Sequence, residues 1–87
     1  MNDKVLIKLI VPEIDFDFDM FIPINEQIWK IKKLVVKSIS DLIGIDEILD
    51  KDDPILINKT TSEIYKNNIV VKDTNIRNST EIVLLFK

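Results

Sequence analysis

The chain lacks cysteine and histidine altogether and contains a single glycine among its 87 residues. Without cysteine it can form no disulfide, zinc-thiolate site, iron–sulfur cluster or thiol nucleophile. Without histidine it lacks the commonest general base and the commonest transition-metal ligand, so its serines have no such base to activate them. One glycine cannot build a glycine-rich phosphate loop. We therefore predict that the protein is not an enzyme and holds no cofactor and no metal.

An excess of basic residues and any long apolar run are also missing. Fifteen acidic and twelve basic residues give a net charge of −3, which argues against a nucleic-acid partner, because such proteins normally carry a basic face. No apolar run approaches about 18–20 residues and the first residues do not form a signal peptide, so we expect a cytoplasmic protein without direct membrane insertion. The length and the hydrophobic content of 46% predict a single domain, residues 1–87, with one core.

Two alternating segments open the chain. Residues 5–11 place Val5, Ile7, Leu9 and Val11 on one face, and Leu6, Lys8 and Ile10 on the other. After the turn at Pro12-Glu13-Ile14 the alternation is strict, with Asp15, Asp17 and Asp19 opposite Phe16, Phe18, Met20 and Ile22. Two such strands around a short turn predict a β-hairpin.

The three aspartates of the second strand admit two interpretations. Facing water, they discourage pairing with another sheet edge. A cation site or a docking strip is the functional alternative. Carboxylates on alternate residues of a strand are spread along a flat face, so we favour the solvent-facing interpretation.

After Pro23 the apolar period changes to that of a helix. Taken at about 100° per residue, one narrow arc contains Ile28, Ile31, Val35, Ile39 and Leu42, and the opposite side carries Glu26, Lys30, Lys33 and Lys37. Asn25 is the predicted N-cap, and Gly44 sits where a left-handed C′ residue belongs. The pattern predicts one amphipathic helix of four to five turns.

Lys32 and Trp29 fit this helix less well. Lys32 projects close to the apolar arc, where an ammonium group needs a partner or a route to water. Trp29, Val36 and Ile43 form a second apolar flank, which is either the rim of the core or, around Trp29 and Val36, a secondary interface.

The rest of the chain returns to short strands. Residues 45–54 form an acidic connector in which Ile48 and Leu49 predict a short helical turn. The connector fails the calcium-loop pattern. Residues 55–57 predict a strand, residues 58–61 a turn, and residues 63–65 a second, shorter strand. The run Ile82-Val83-Leu84-Leu85-Phe86 is apolar on both faces, which predicts a strand in the middle of a sheet.

This order of elements predicts an α+β domain, ββαβ(β)β, with one helix packed across one face of a mixed sheet. The arrangement is that of the β-grasp fold. Residues 69–76 followed by Ser79-Thr80-Glu81-Ile82-Val83-Leu84-Leu85 resemble the closing third of ubiquitin, and residues 23–35 resemble the entry to its helix. The resemblance implies a ubiquitin-like domain in which Lys32 lies inward.

The resemblance also bears on function. Conjugatable ubiquitin-like modifiers end in Gly-Gly, whereas this sequence ends Leu85-Phe86-Lys87, so we expect a protein that is not conjugated. By its size, its Ile22-Pro23-Ile24 helix entry and the turn at residues 71–80, it resembles the bacterial YukD/EsaB type of small type VII secretion proteins. That resemblance implies a cytosolic accessory component that binds other secretion proteins by surface contact. We expect a monomer or weak homodimer. The alternative is a charge-pairing adaptor domain of the PB1/RA kind, acting through Lys8.

Strand alternation predicts where a partner docks. We expect Ile82, Leu84 and Phe86 to face the helix together with Ile55 and Ile57. Leu56, Val83 and Leu85 would then lie on the open sheet face, roughly where ubiquitin carries its recognition patch. The predicted protein-binding patch consists of Leu6, Ile10, Leu56, Val83 and Leu85.

Overall fold

A computed structural model describes residues 3–44 and 54–86 of the chain. The main elements are β1 (Lys4–Val11), β2 (Phe16–Pro23), α1 (Ile28–Ile43), β3 (Ile55–Asn58) and β4 (Thr80–Leu85). Short 3₁₀ turns lie at Pro12–Ile14 and Val71–Asp73. Most of the acidic connector, including the turn predicted at Ile48 and Leu49, lies outside the described residues.

The hairpin of β1 and β2 forms as its alternation predicts. The turn closes when the N–H of Asp15, in the left-handed conformation at φ +51°, donates to the C=O of Pro12 at 3.0 Å. Val11 then lies opposite Phe16, and the antiparallel register continues to Lys4 opposite Pro23. Because side chains alternate along a strand, Asp17 and its like-facing neighbours are exposed, while the other side of β2 turns toward the core.

The final strand is central, as predicted. The four strands are ordered β2-β1-β4-β3, with β1 and β4 parallel in the middle and the two outer pairs antiparallel. One face of this sheet packs against α1, and we call it the inner face. The core combines this inner face with the buried side of the helix and residues of the loop before β4, as follows: Ile7, Leu9, Val11, Ile22, Ile28, Ile31, Val35, Ile39, Leu56, Tyr65, Val71, Ile76, Ile82 and Leu84. The α+β prediction with a mixed sheet and one covering helix is confirmed.

The helix ends as predicted at its C-terminus and differently at its N-terminus. Gly44 adopts φ +74° and its N–H donates to the C=O of Ser40 at 2.8 Å. The prediction of Asn25 as N-cap is wrong, because the helix begins two residues later, after Gln27, without a side-chain cap bond. Its first N–H groups bond elsewhere: Ile28 donates to the C=O of Ile69 at 2.9 Å, and Trp29 to that of Asn67 at 3.1 Å. A distant loop thus supplies the acceptors that a capping side chain otherwise provides.

One member of the predicted apolar arc does not reach the core. Ile28, Ile31, Val35 and Ile39 are buried, but Leu42 is 58% exposed. Ile43, the next residue, packs against the core instead. Periodicity indicates which side of a helix faces the sheet, but not how far along the helix the sheet provides cover. Lys32 is buried, as the resemblance to ubiquitin implied.

The facing predicted for β3 is wrong. Leu56 is only 1% exposed, and Ile55 and Ile57 are half-buried on the other side of the strand. The pairing of β3 with β4 determines which residues face inward, because Leu56 lies opposite the buried Leu84 and Ile57 lies opposite Val83. Residues on opposite positions of neighbouring strands face the same side. The strand predicted at residues 63–65 reduces to one bridge, between Ile57 and Ile64.

No helix within residues 3–44 and 54–86 is long and apolar enough to cross a membrane.

Candidate functional site

The face of the sheet turned away from α1 carries a contiguous apolar surface. Cross-strand register brings its members together from three strands and one bridging residue. We call this surface the outer strip, and it consists of Ile10, Ile55, Ile57, Ile64, Val83 and Leu85. All of them are half-buried except Ile64, which is 58% exposed.

The outer strip is built from cross-strand neighbours. Ile64 lies opposite Ile57 in an isolated bridge, Ile57 opposite Val83, and Val83 opposite Ile10 across the parallel pair. Neighbouring strands lie about 4.8 Å apart, so these four side chains form a continuous row across the sheet. Leu85 and Ile55 lie opposite each other one position farther along the outer face. Branched residues on a pleated surface pack against one another and present a smooth apolar surface.

A row of alternating charges borders the outer strip. It runs Asp19, Lys8, Glu81 and Lys59, with Asp19 opposite Lys8 and Lys8 opposite Glu81. The Lys59 ammonium lies 3.9 Å from the Glu81 carboxylate, and the Lys59 N–H donates to the C=O of Glu81 at 3.0 Å. The outer face therefore pairs an apolar row with an alternating charged row. Such a border favours one orientation of a partner over another.

Lys8, the residue through which a charge-pairing domain would act, lies between two acids of its own chain. Lys8 faces Asp19 on one side and Glu81 on the other, both from its own chain. A neighbouring molecule's acids would have to compete with them. The geometry is therefore less favourable to a charge-pairing domain than to docking on the apolar surface.

Three of the five predicted patch residues lie in the outer strip. These are Ile10, Val83 and Leu85. Leu56 belongs to the core, and Leu6 lies on the outer face beyond the charged row, opposite Phe21, which is 59% exposed. The charged row separates Leu6 from the outer strip.

Sequence reasoning missed Ile55, Ile57 and Ile64. The sequence predicts the first two on the inner face, because an Ile-Leu-Ile run contains no polar residue to mark its exposed side. Asn58 follows the run, but its residue type does not correct this facing: asparagine is mostly exposed in proteins, whereas Asn58 is buried on the same side as Leu56.

A polar network holds the loop that supplies Ile64. The Asn58 Nδ2 donates to the Tyr65 hydroxyl at 2.9 Å, and that hydroxyl donates to the Asn75 Oδ1 at 2.6 Å. The Asn75 Nδ2 in turn donates to a Glu63 carboxylate oxygen at 3.0 Å. Burial raises the pKa of the Tyr65 phenol; the hydrogen bond from Asn58 opposes this rise and the charge of Glu63 adds to it. The network ties β3 to both ends of the loop and so fixes Ile64 beside Ile57.

The predicted secondary interface lies on the helix. Trp29 is exposed, and Val36 is half-buried against the core. The Nζ atoms of Lys30 and Lys33 each lie 5.5 Å from the Trp29 ring centroid, and its indole N–H donates to the Gln27 side chain. Trp29 is therefore held in place by cation–π contacts within its own helix and by a hydrogen bond to the residue that precedes the helix. A partner at Trp29 and Val36 stays a prediction.

The acids of the hairpin do not gather into a metal site. Within residues 3–44 and 54–86 the structure contains no group of three or more metal-ligating side chains arranged to hold an ion.

Comparisons with known proteins identify the fold. No protein-family model matches the chain, and no curated protein matches it. Solved structures do. A chain of an ESX-5 inner membrane complex aligns with a TM-score of 0.78 at 8% identity, over 99% of this chain and 21% of that chain. A chain of the toluene 4-monooxygenase HD complex gives a TM-score of 0.77 at 6% identity, over 97% and 99% of the two chains.

Ubiquitin-like domains are also among the similar structures. One from an Arabidopsis thaliana protein aligns with a TM-score of 0.69 at 14% identity, over 99% of this chain and 80% of that chain. Identities this low establish a shared fold and nothing about activity. The parallel central pair, the covering helix and these likenesses together show that the chain has the ubiquitin-like β-grasp fold.

Proposed function

We propose that the protein is a non-catalytic protein-interaction module whose docking surface is the outer strip. The observation that carries this proposal is the continuity of Ile64, Ile57, Val83 and Ile10 across the sheet, on the face that α1 does not cover. Single exposed apolar residues are common on any protein. A contiguous apolar row rimmed by polar residues is typical of an interaction site.

The chemistry of the two rows indicates what the partner presents. An apolar surface element fits the outer strip, and burying half-exposed Ile, Val and Leu side chains contributes roughly 25 cal/mol per Å² of apolar area removed from water. Charges beside that element would face Asp19, Lys8, Glu81 and Lys59. Because the signs alternate along this row, a partner shifted by one strand would meet like charges.

The finer proposal is a cytosolic accessory component of a bacterial type VII secretion system. Two observations support it: the resemblance of residues 22–24 and 71–80 to the YukD/EsaB type, and the shared fold with part of a chain in an ESX-5 inner membrane complex. In this role the module binds another secretion component through the outer strip, without catalysis.

Binding measurements with paired variants test both levels. The partners to try are the purified soluble domains of secretion proteins encoded beside the gene, measured by calorimetry or surface plasmon resonance. Ile57→Asp and Leu85→Asp each place a carboxylate in the outer strip, so we expect either change to weaken binding by at least about tenfold. Leu42→Asp is the matched control, because Leu42 is 58% exposed but lies on the helix.

The outcomes separate the two levels of the proposal. Binding that Leu42→Asp weakens as much as Ile57→Asp contradicts the docking surface. Binding to proteins of an unrelated system, sensitive to Ile57→Asp, keeps the interaction module and removes the secretion role. The role also fails if no secretion gene lies nearby and no secretion domain binds.

A further inference from the structure

The strand β2 forms one edge of the sheet and carries a free set of backbone groups. Among residues 3–44 and 54–86 it pairs with β1 alone. The N–H of Ile24 donates to the C=O of Asp3 at 2.9 Å, so Ile24 and Asp3 form a hydrogen-bonded pair at the end of the hairpin. In an antiparallel ladder such pairs alternate with non-bonded ones. The backbone groups of Phe16, Phe18, Met20 and Ile22 therefore point toward β1.

The backbone groups of the intervening residues point away from the sheet. Leu6, opposite Phe21, confirms this alternation, because its N–H donates to the Asn78 Oδ1 and its C=O accepts from the N–H of Ser79. Leu6 has thus used both groups on the side away from β2. The N–H and C=O groups of Asp17, Asp19 and Phe21 are left at the open edge. Pro23, which has no N–H, ends this edge.

The apolar cover of the core is incomplete along the same edge. Phe16, Phe18 and Met20 face inward but remain half-exposed. Their partners on β1 are at most 1% exposed: Val11, Leu9 and Ile7. The Phe16 and Phe18 ring centroids lie 5.5 Å apart, so the two rings form one apolar ridge. An additional strand beside β2 would cover this ridge and would bond to the free backbone groups at once. Both features describe an edge that can accept one more strand.

The charges on the outer side of β2 select the occupant. Asp17 and Asp19 are exposed there, on the two residues whose backbone groups are free. A second copy of β2 in the same position would set carboxylates against carboxylates, which is destabilising between neighbouring strands. An incoming strand with lysine or arginine at alternate positions would place those side chains across from the aspartates and its apolar residues against Phe16, Phe18 and Met20.

We infer that the β2 edge binds an extended basic segment of a partner protein by strand addition. The segment alternates basic and apolar residues. Its backbone bonds to Asp17, Asp19 and Phe21, and its basic side chains pair with the two aspartates. This site lies at the opposite edge of the sheet from β3 and Ile64. It adjoins the outer strip, because Asp17 lies opposite Ile10 and Asp19 belongs to the charged row.

A synthetic peptide tests this inference directly. The probe is Val-Lys-Val-Lys-Val-Lys-Val with blocked ends, added to the isotope-labelled full chain and followed by NMR and amide hydrogen exchange. We expect exchange at the amides of Asp17, Asp19 and Phe21 to slow by at least about tenfold at saturation, because these groups gain partners. Amides of Phe18 and Met20 already bond to β1 and should change little.

Two control peptides separate the contributions. The lysine peptide with methylated backbone nitrogens at its residues 2 to 6 keeps the charges but has no N–H donor there, whichever side of the peptide is turned to β2, and Val-Glu-Val-Glu-Val-Glu-Val keeps the backbone but reverses the charge. We expect both to bind at least about tenfold more weakly than the lysine probe. Equal binding by the glutamate peptide, equal binding by the methylated peptide, or slowed exchange at β3 in place of β2 overturns the inference. So does absence of binding by the lysine probe.

Variants of the protein give the complementary evidence. Phe21→Pro removes an N–H that the sheet does not use, so the fold should persist while the peptide is lost; Phe21→Ala shows the effect of the ring alone. Asp17→Asn with Asp19→Asn should weaken binding by at least about tenfold. The matched control removes two exposed carboxylates elsewhere, Asp41→Asn with Asp73→Asn. Equal weakening by this control pair would reduce the site to general electrostatic attraction and would falsify strand addition.

Discussion

The two faces of the sheet are made of the same kinds of residue and differ in their exposure to water. On the inner face Leu9, Leu84 and Leu56 are fully buried under α1. On the outer face Ile10, Val83 and Ile57, each one position along the same strands, stay half-exposed. A buried aliphatic side chain contributes about 1.5–3 kcal/mol to folding. The outer residues are still partly exposed to water, so the rest of this free energy would be gained only when a partner covers them. Position in the pleat, and not residue type, decides which of these side chains stabilise the core and which stay exposed for the proposed partner.

The strongest test of the difference between the two faces is to place the same charge on each face of β3. Leu56→Asp would bury a carboxylate among Leu84 and other core side chains and would also leave a cavity, at a cost of several kcal/mol. Small domains are stable by about 5–15 kcal/mol. We expect this variant to be largely unfolded by circular dichroism at room temperature.

The neighbouring substitution is the control. Ile57→Asp changes a side chain that already contacts water, so its midpoint of urea unfolding should move little while partner binding falls. A folded Leu56→Asp variant, or an unfolded Ile57→Asp variant, would show that the facing of β3 is reversed.

A smaller effect comes from the polar residues on the inner side. Tyr65→Phe removes the hydroxyl that connects Asn58 to Asn75 and leaves the buried Asn58 Nδ2 without this acceptor. Leaving a buried polar group unpaired costs about 1–3 kcal/mol. Urea unfolding at neutral pH should show a loss of stability in this range.

The same residue predicts a pH dependence. The folded protein raises the pKa of Tyr65 above its ordinary value of 10.0. Above that value the unfolded chain loses the phenolic proton more readily than the folded chain, so stability falls as pH rises from about 10 upward and is unaffected by this group below it. Comparing wild type with Tyr65→Phe between neutral and strongly alkaline pH isolates the contribution. A Tyr65→Phe variant with the same alkaline slope as wild type would contradict this assignment.

The smallest effect is expected from the outer ion pair. The side chains of Lys59 and Glu81, 3.9 Å apart, are 55% and 40% exposed. Surface pairs of this kind contribute about 0–1 kcal/mol, and salt screens them. Lys59→Met should therefore leave the unfolding midpoint nearly unchanged and should alter partner binding mainly at low salt. A stability loss as large as that of Tyr65→Phe would mean that the two faces differ less than we argue.

The parts of the fold that the sequence predicts well are those with a polar marker at every other residue or on every helical turn. In β2 the aspartates alternate with Phe16, Phe18 and Met20, so the pattern determines which side of the strand faces water and which side faces the core. In α1 the lysines opposite Ile31, Val35 and Ile39 do the same. In β3 the polar residue, Asn58, is buried and so does not mark the exposed face. The facing of β3 depends on its pairing with Leu84 and on the Asn58–Tyr65 hydrogen bond, neither of which is local.

The same distinction explains the N-terminus of the helix and the missing half of the candidate site. Asn25 is a good capping residue by type, but the acceptors for Ile28 and Trp29 are the carbonyls of Ile69 and Asn67, far along the chain. Ile64 joins the outer strip because a bridge places it beside Ile57. Residue type and spacing predict a surface that lies within one strand. They do not predict which loop residue is placed beside it.

The parallel pairing of β1 with β4 has a consequence for the order in which the protein folds. Ile7 lies beside Thr80 and Ile10 beside Val83, so the two middle strands come from segments far apart in the sequence. The hairpin and the helix can form from local contacts, whereas the central ladder requires a large loop to close first. During synthesis one edge of β1 stays unpaired until β4 has left the ribosome. β1 is apolar on much of both faces. We therefore expect the middle of the sheet to be completed last, and a delay at that step would leave an unpaired strand edge exposed to other chains.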